Sequence, residues 1–144
     1  MIEKDMHQLR LIFAAIYLVV DLVYVFSSKP YYENVAKRIQ GKGFPAGRWV
    51  GGVLAYVALV AGWWFFATTL AHQFVIEHGW HPLLAGAIAG AMYGFVVYGV
   101  FNGSVYVMFE GYQHTVFLRD LSWGVLSASL VTAIYTFFAS KKAQ

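Results

Sequence analysis

The sequence predicts an all-α, polytopic membrane protein: an up-down bundle of four transmembrane helices, with a short amphipathic helix at the interface between spans one and two. Three observations predict it. Only 12% of the 144 residues are charged and 60% are hydrophobic, whereas a soluble domain carries about 25% charged residues; the mean hydropathy is +0.59. Four stretches, near residues 9–28, 49–72, 83–109 and 115–138, are apolar enough to supply the roughly 20 residues a helical crossing needs. Aromatic side chains make up 19% of the chain, which suits a protein with two membrane–water interfaces where Trp and Tyr anchor. Barrel strands would be short and strictly alternating. The whole chain, 1–144, reads as one membrane domain.

The first span, Leu9–Ser28, follows the segment MIEKDMHQLR. That segment holds two acids, and no small-residue cleavage site follows the apolar run, so the span reads as a retained helix rather than a signal peptide. Lys29-Pro30 ends it. In the long connection KPYYENVAKRIQGKGFPAGR, Tyr32, Val35, Ala36 and Ile39 share one helical face. Glu33, Asn34, Lys37, Arg38 and Gln40 take the other. This is the pattern of a helix lying on lipid. Gly41, Gly43 and Pro45 then turn the chain back. The second span is Trp49–His72. Pro82 opens the third, Leu83–Phe109, and Lys141-Lys142 closes the fourth, Thr115–Phe138.

Four crossings place both termini and the second connection on one side, called side A, and the first and third connections on side B. Side A carries Lys4, Arg10, Lys141 and Lys142; side B carries Lys29, Lys37, Arg38, Lys42, Arg48 and Arg119. The surplus favours a cytoplasmic side B. The net charge of +3 in so apolar a chain bears on this orientation. The partner it implies is the lipid bilayer, not nucleic acid. There is no Cys, which excludes disulfides and thiolate metal sites.

Parity brings polar residues together. Asp21 lies near the side-B end of span one, Asn102 near the side-B end of span three, and Asp120 just inside span four from the same side. Tyr17, Asp21, Tyr24 and Ser28 share a stripe of span one, and Asp120, Trp123, Gly124, Ser127 and Ala128 share one of span four. In span three Gly86, Gly90 and Gly94 stand four apart, and Tyr98 and Asn102 continue the row. Small residues at that spacing let helices approach closely. Gly99 and Gly103 form a second row, open to another copy of the chain, so a homo-oligomer is expected. An acid at the bilayer centre costs about 2.5–3.5 kcal/mol on insertion scales, so these acids need a reason. One is structural: Asp21 accepting from Tyr56, Asn102 or Trp123 to fix helix register. The other is a site for a proton, ion or small ligand. Arg119, one turn inside span four, has the reach to neutralise Asp21 or Glu110, or to extend to the interface.

His7, His72, His78 and His81 all fall on side A, with His78 and His81 three apart. Imidazole binds several transition metals; wetted interfacial histidines are the plainer reading. No HExxH motif is present, and no motif designates a cofactor.

The stretch Tyr98–Gly124, with Asp21 before it, resembles domain of unknown function 2177, a family of small bacterial and viral membrane proteins. That family's pattern has an Asp in the first span, a Tyr-Gly, then Tyr-Asp-Leu-Thr-Asn, Gly-Trp and Asp-x-x-Trp-Gly. Here Asp21, Tyr98-Gly99, Gly111-Tyr112 and Asp120-x-x-Trp123-Gly124 correspond, with Phe101 to Val105 at the middle motif. Asn102 stands where the pattern has an acid, and Val105 where it has an amide. The resemblance implies a four-helix membrane fold and no established activity.

Two functional classes fit. In the first, an oligomer conducts or transports protons or a small solute through the half-buried cluster of Asp21, Asn102 and Asp120, beside Tyr24, Tyr56 and Tyr98. In the second, a non-catalytic interaction or assembly protein binds lipid or a partner through its glycine stripe and amphipathic connection. Inverted repeats and broken helices, the usual marks of transporters, are absent from the sequence. An enzyme stands third, since neither a nucleophile–base pair nor a phosphate loop is visible.

Overall fold

A computed structural model describes residues 2–45 and 47–142. Its elements run α1 (Ile2–Ser27), α2 (Lys29–Gln40), α3 (Trp49–Gly62), a π-helical turn (Trp63–Ala67), α4 (Thr68–Ile76), α5 (Pro82–Met108) and α6 (His114–Lys142). Four helical stretches are long and apolar enough to cross a membrane: Lys4–Ser27, Trp49–Ile76, Pro82–Met108 and His114–Lys142. Each expected span is there. The first begins earlier than hydropathy marks it, because a helix continues through its charged first turns outside the hydrocarbon, where side chains but not backbone change environment.

Local chemistry sets the breaks. Ser28 separates α1 from α2, and Pro30 stands in the first turn of α2, where a missing N–H costs nothing. Gly41 ends α2 at φ +73°, its N–H donating to the Lys37 carbonyl at 2.9 Å. That left-handed cap favours glycine. Pro82 opens α5 in the same way as Pro30 opens α2.

The four crossings close into a ring. α5 packs along α6, α6 along α1, and α4 with the π-turn against α5, while α3 leans on α1 more lightly. The α5–α6 seam is the tightest. A Cβ on Gly86 would lie 2.5 Å from the Thr132 carbonyl oxygen, and on Gly90 or Gly94 it would overlap the Ala128 or Gly124 carbonyl. Gly124 in turn lies under the Tyr98 ring. Within lipid no hydrophobic force draws helices together, so such backbone approach is what holds them.

The second crossing has two unlike halves. From Trp49 to Ala58 only Tyr56 is even half-buried. Beyond it Leu59, Trp63, Ala67, Thr68 and Ala71 are buried. The π-turn lies at the change. There the Thr68 N–H reaches back to the Trp63 carbonyl, which widens the helix and re-aims it. Side chains meet the disturbed backbone: the Thr68 hydroxyl donates to the Trp64 carbonyl at 2.6 Å and the Tyr93 hydroxyl to the Leu59 carbonyl at 2.5 Å. Without water, each unmet carbonyl would cost several kcal/mol. Trp63 wedges into the core, its indole N–H donating to the Thr132 hydroxyl at 2.9 Å.

The amphipathic helix stands between spans one and two as expected, and its apolar face is covered by protein. Val35 packs with Tyr112 and Val116, flanked by Tyr32, Ile39 and Val105. α2 therefore caps the side-B ends of α5 and α6, because those ends present an apolar surface that a helix can cover more completely than lipid headgroups can.

Candidate functional site

Asp21, Asn102 and Asp120 each stand six residues from the side-B end of their helix, at Ser27, Met108 and His114. That is about 9 Å of helical rise. All three are buried. The depth inferred from parity is thus the depth at which they meet.

Asp120 is 8% exposed, and both its oxygens are engaged. Oδ1 accepts from the Tyr32 hydroxyl at 2.5 Å, and Oδ2 from the Asn102 amide at 2.8 Å. The same Asn102 nitrogen donates to the Tyr98 carbonyl at 2.8 Å, and its Oδ1 accepts from the Tyr112 hydroxyl. An amide fits this position because it donates and accepts at once. An ionised carboxylate could not donate to Asp120. Asp21 is 4% exposed. Its Oδ1 accepts from the Tyr98 hydroxyl at 2.6 Å and from the Trp123 indole N–H at 2.9 Å.

These contacts close on themselves. Trp123 stacks flat on Tyr24, centroids 4.3 Å apart and planes within 9°. The Tyr24 hydroxyl lies 3.0 Å from that of Tyr32, which returns to Asp120. The ring draws on α1, α2, α5 and α6. Burial, then the bond to Asp120, holds the Tyr32 phenol well above its ordinary 10.0, and burial with the Asp120 field does the same for Tyr112. Both remain donors at any physiological pH. Among the described residues, the side chains that bond the carboxylates, Tyr32, Asn102, Tyr98 and Trp123, are neutral.

Arg119 supplies no counter-charge to the acids. Its guanidinium donates to the Ser28 hydroxyl at 3.1 Å and lies 4.5 Å over the Tyr31 ring. It is exposed. A guanidinium loses less solvation at the rim than it would beside Asp21, and Tyr31 offers it a face there. The donors of Asp21 also differ in part from expectation. Trp123 is among them; Asn102 turns to Asp120 instead, and Tyr98 takes its place. Tyr56 stands half-buried on α3, packed against the core.

Two residues outside the spans, Tyr32 and Tyr112, bond into the ring although the predicted polar cluster does not include them. Tyr32 carried a signal, a hydroxyl on the apolar face of α2 beside Val35.

The chain belongs to the DUF2177 family of predicted membrane proteins. The family model matches residues 7–137, which takes in every member of the ring from Asp21 to Trp123. No curated protein and no solved structure matches the chain. In this DUF2177 chain, the Asp-x-x-Trp-Gly motif has a physical reading. Asp120 anchors the ring, Trp123 reaches the other acid, and Gly124 admits the Tyr98 ring.

The side-A histidines do not gather. His7 stacks near Trp64, His78 lies against Phe74 and Trp80, and all of His7, His72, His78 and His81 are exposed. Among the described residues no group of three or more His, Cys, Asp or Glu is placed to hold a metal ion. The glycine rows differ. Gly86, Gly90 and Gly94 are consumed by α6, whereas Gly99 meets only the tip of Leu121 at 3.8 Å and a Cβ on Gly103 would meet nothing within 4 Å.

Proposed function

We propose that this protein takes up and passes protons through the Asp21–Asp120 ring, working as an oligomer joined along the Gly99–Gly103 face. One observation carries the reading: among the described residues, two buried carboxylates at one depth are held by neutral donors. Ionised, each is balanced only by hydrogen bonds. Protonated, each relieves the charge at that depth and keeps a partner, because a carboxylic acid donates as well as accepts. Tyr32 and Tyr24 support exchange between the states, since either hydroxyl of that pair can donate. A proton arriving at Asp120 turns the Tyr32 hydroxyl toward Tyr24, and its departure turns it back.

The interior toward side A supports a continuation. The Tyr17 hydroxyl is fully buried below Asp21 and has no hydrogen-bond partner among the described residues. Further down, the Trp63–Thr132 pair is followed by the Arg10–Tyr135 pair at 3.2 Å. The ring is filled by its own side chains, which favours protons over a larger solute.

The test is proton flux in proteoliposomes after a pH jump. Wild type should dissipate the gradient, and Asp120→Asn or Asp21→Asn should abolish the flux while the protein still melts cooperatively. Unchanged flux in a folded double variant sinks the reading. Gly103→Leu should shift the detergent-solubilised mass toward monomer; an unchanged mass removes the oligomer from it.

A further inference from the structure

Between α1 and α3 the side-B half of the bundle is open. A groove of about 770 Å³ runs there, lined by Leu18 and Leu22 of α1, Gly52, Val57 and Ala61 of α3, and Phe65 of the π-turn. It presents no polar surface. It exists because α3 leans away from the bundle ahead of the π-turn, and because α3 carries small residues along this side. A Cβ on Gly52 would meet nothing within 4 Å. From Gly52 to Phe65 the helical rise is about 20 Å, longer than the roughly 15 Å of hydrocarbon in one leaflet. The groove is therefore long and apolar, and its exposed Val57 and Phe65 face outward from the bundle.

Its side-B rim is basic. Arg48 caps α3 one turn before Gly52, and Lys29 follows the end of α1. Both of these cations are exposed. The only acids in the side-B connections are Glu33 and Glu110.

We propose that the α1–α3 groove binds one acyl chain of an anionic phospholipid, with the phosphate at the Arg48 rim. A second copy seated in the groove would bring its own basic rim against this one, whereas an anionic headgroup answers it. Phosphate adds charge-assisted hydrogen bonds to arginine, and a basic rim attracts anionic lipid. Tyr56, which the sequence places beside the proton cluster, also lines the groove; no lining residue is among the hydrogen-bonded members of the ring itself.

Two adjacent glycines give the test its control. Gly51 and Gly52 are both open, with nothing within 4 Å of a Cβ, but only Gly52 lines the groove. Wild type reconstituted in nanodiscs of mixed phosphatidylglycerol and phosphatidylcholine, then released into mild detergent, should retain phosphatidylglycerol by native mass spectrometry. Gly52→Phe should lose that lipid at least tenfold with an unchanged melting temperature, and Gly51→Phe should keep it. Val57→Trp, from a second exposed lining position, should repeat the loss. Arg48→Gln should bring retention of the two lipids level. Equal retention by wild type and both filling variants overturns the proposal. So does equal loss in Gly51→Phe, or a change in oligomer mass in Gly52→Phe without loss of lipid.

Discussion

Two seams of this bundle use small residues in opposite ways. Along α5–α6, Gly86, Gly90 and Gly94 bring backbone onto backbone, and the Ser129 hydroxyl crosses to the Ala87 carbonyl at 2.9 Å. Along α1–α3, Gly51 and Gly52 bring nothing close. Composition alone does not make a close seam. A glycine row closes only where the facing helix also presents small residues in register, as α6 does with Gly124, Ala128 and Thr132. Opposite Gly52 stand Leu18 and Leu22, whose branched side chains hold the helices apart. The closed seam carries the polar ring on its side-B end, and the open seam leaves an outward-facing groove.

The largest effect should come from filling the closed seam. Gly90→Leu drives a side chain into the Ala128 carbonyl, which is backbone and cannot swing aside. Overpacking costs roughly 1–3 kcal/mol even where neighbours yield, so this variant should lose its cooperative melt or most of its folded yield. Gly52→Leu should melt as wild type does. Equal melting of the two would dissolve the distinction between the seams.

Next comes the ring at the end of that seam. Asp120→Ala removes an acceptor from both the Tyr32 hydroxyl and the Asn102 amide, leaving them the Tyr24 hydroxyl and the Tyr98 carbonyl, at about 1–3 kcal/mol in all. Asp120→Asn keeps one acceptor oxygen and should cost less than half as much. Thermal melts of both in one detergent give the comparison, and an Asn variant as unstable as the Ala variant would mean that charge, not hydrogen bonding, holds the ring.

Much of this was legible in the sequence, and the exceptions have a common cause. Four apolar runs gave the crossings, and parity with helical rise put Asp21, Asn102 and Asp120 at one depth. The glycine row predicted where α5 meets its neighbour. What stayed hidden depends on elements that hydropathy does not orient. α2 reads as a lipid-facing amphipath because its pattern is the same whether lipid or protein covers it; only the docked position turns Tyr32 onto Asp120. The π-turn leaves no mark, since Trp63–Ala67 continues an apolar run without Gly or Pro. The choice of Arg119 between an acid and the rim turned on Ser28 and Tyr31, partners contributed by another helix and connection.

A smaller effect should follow from pH. The Tyr32 phenol is raised above its ordinary 10.0 in the folded protein. A raised value means that the fold favours the neutral phenol. The stabilisation is fully present below the unfolded value and fades as pH climbs above it. Wild type should therefore keep Tyr32 protonated at pH values where a free phenol ionises, and lose stability only as the solution becomes strongly alkaline. Tyr32→Phe should show a shallower alkaline decline and fewer late-titrating phenolates by ultraviolet absorbance. A wild-type titration in which every tyrosine ionises at its ordinary value would show that Tyr32 is not held against Asp120.

The smallest effect should come from Arg119, and it isolates the polar ring from its rim. Arg119 and Asp120 are neighbours in sequence but point about 100° apart around α6. Asp120 turns inward to Tyr32 and Asn102, while Arg119 stays exposed over Tyr31 and bonds Ser28. A cation over an aromatic face near the surface contributes about 0.5–1 kcal/mol, and the bond to the buried Ser28 hydroxyl about as much again. Arg119→Gln should thus lower the melting temperature by no more than a few degrees. It should also leave any proton flux intact, because neither acid draws a hydrogen bond from the guanidinium. Had Arg119 been the counter-charge of Asp21, its loss would leave a buried carboxylate uncompensated, at several kcal/mol. A loss of that size in Arg119→Gln, restored by Asp21→Asn in the same chain, would make the cation part of the ring.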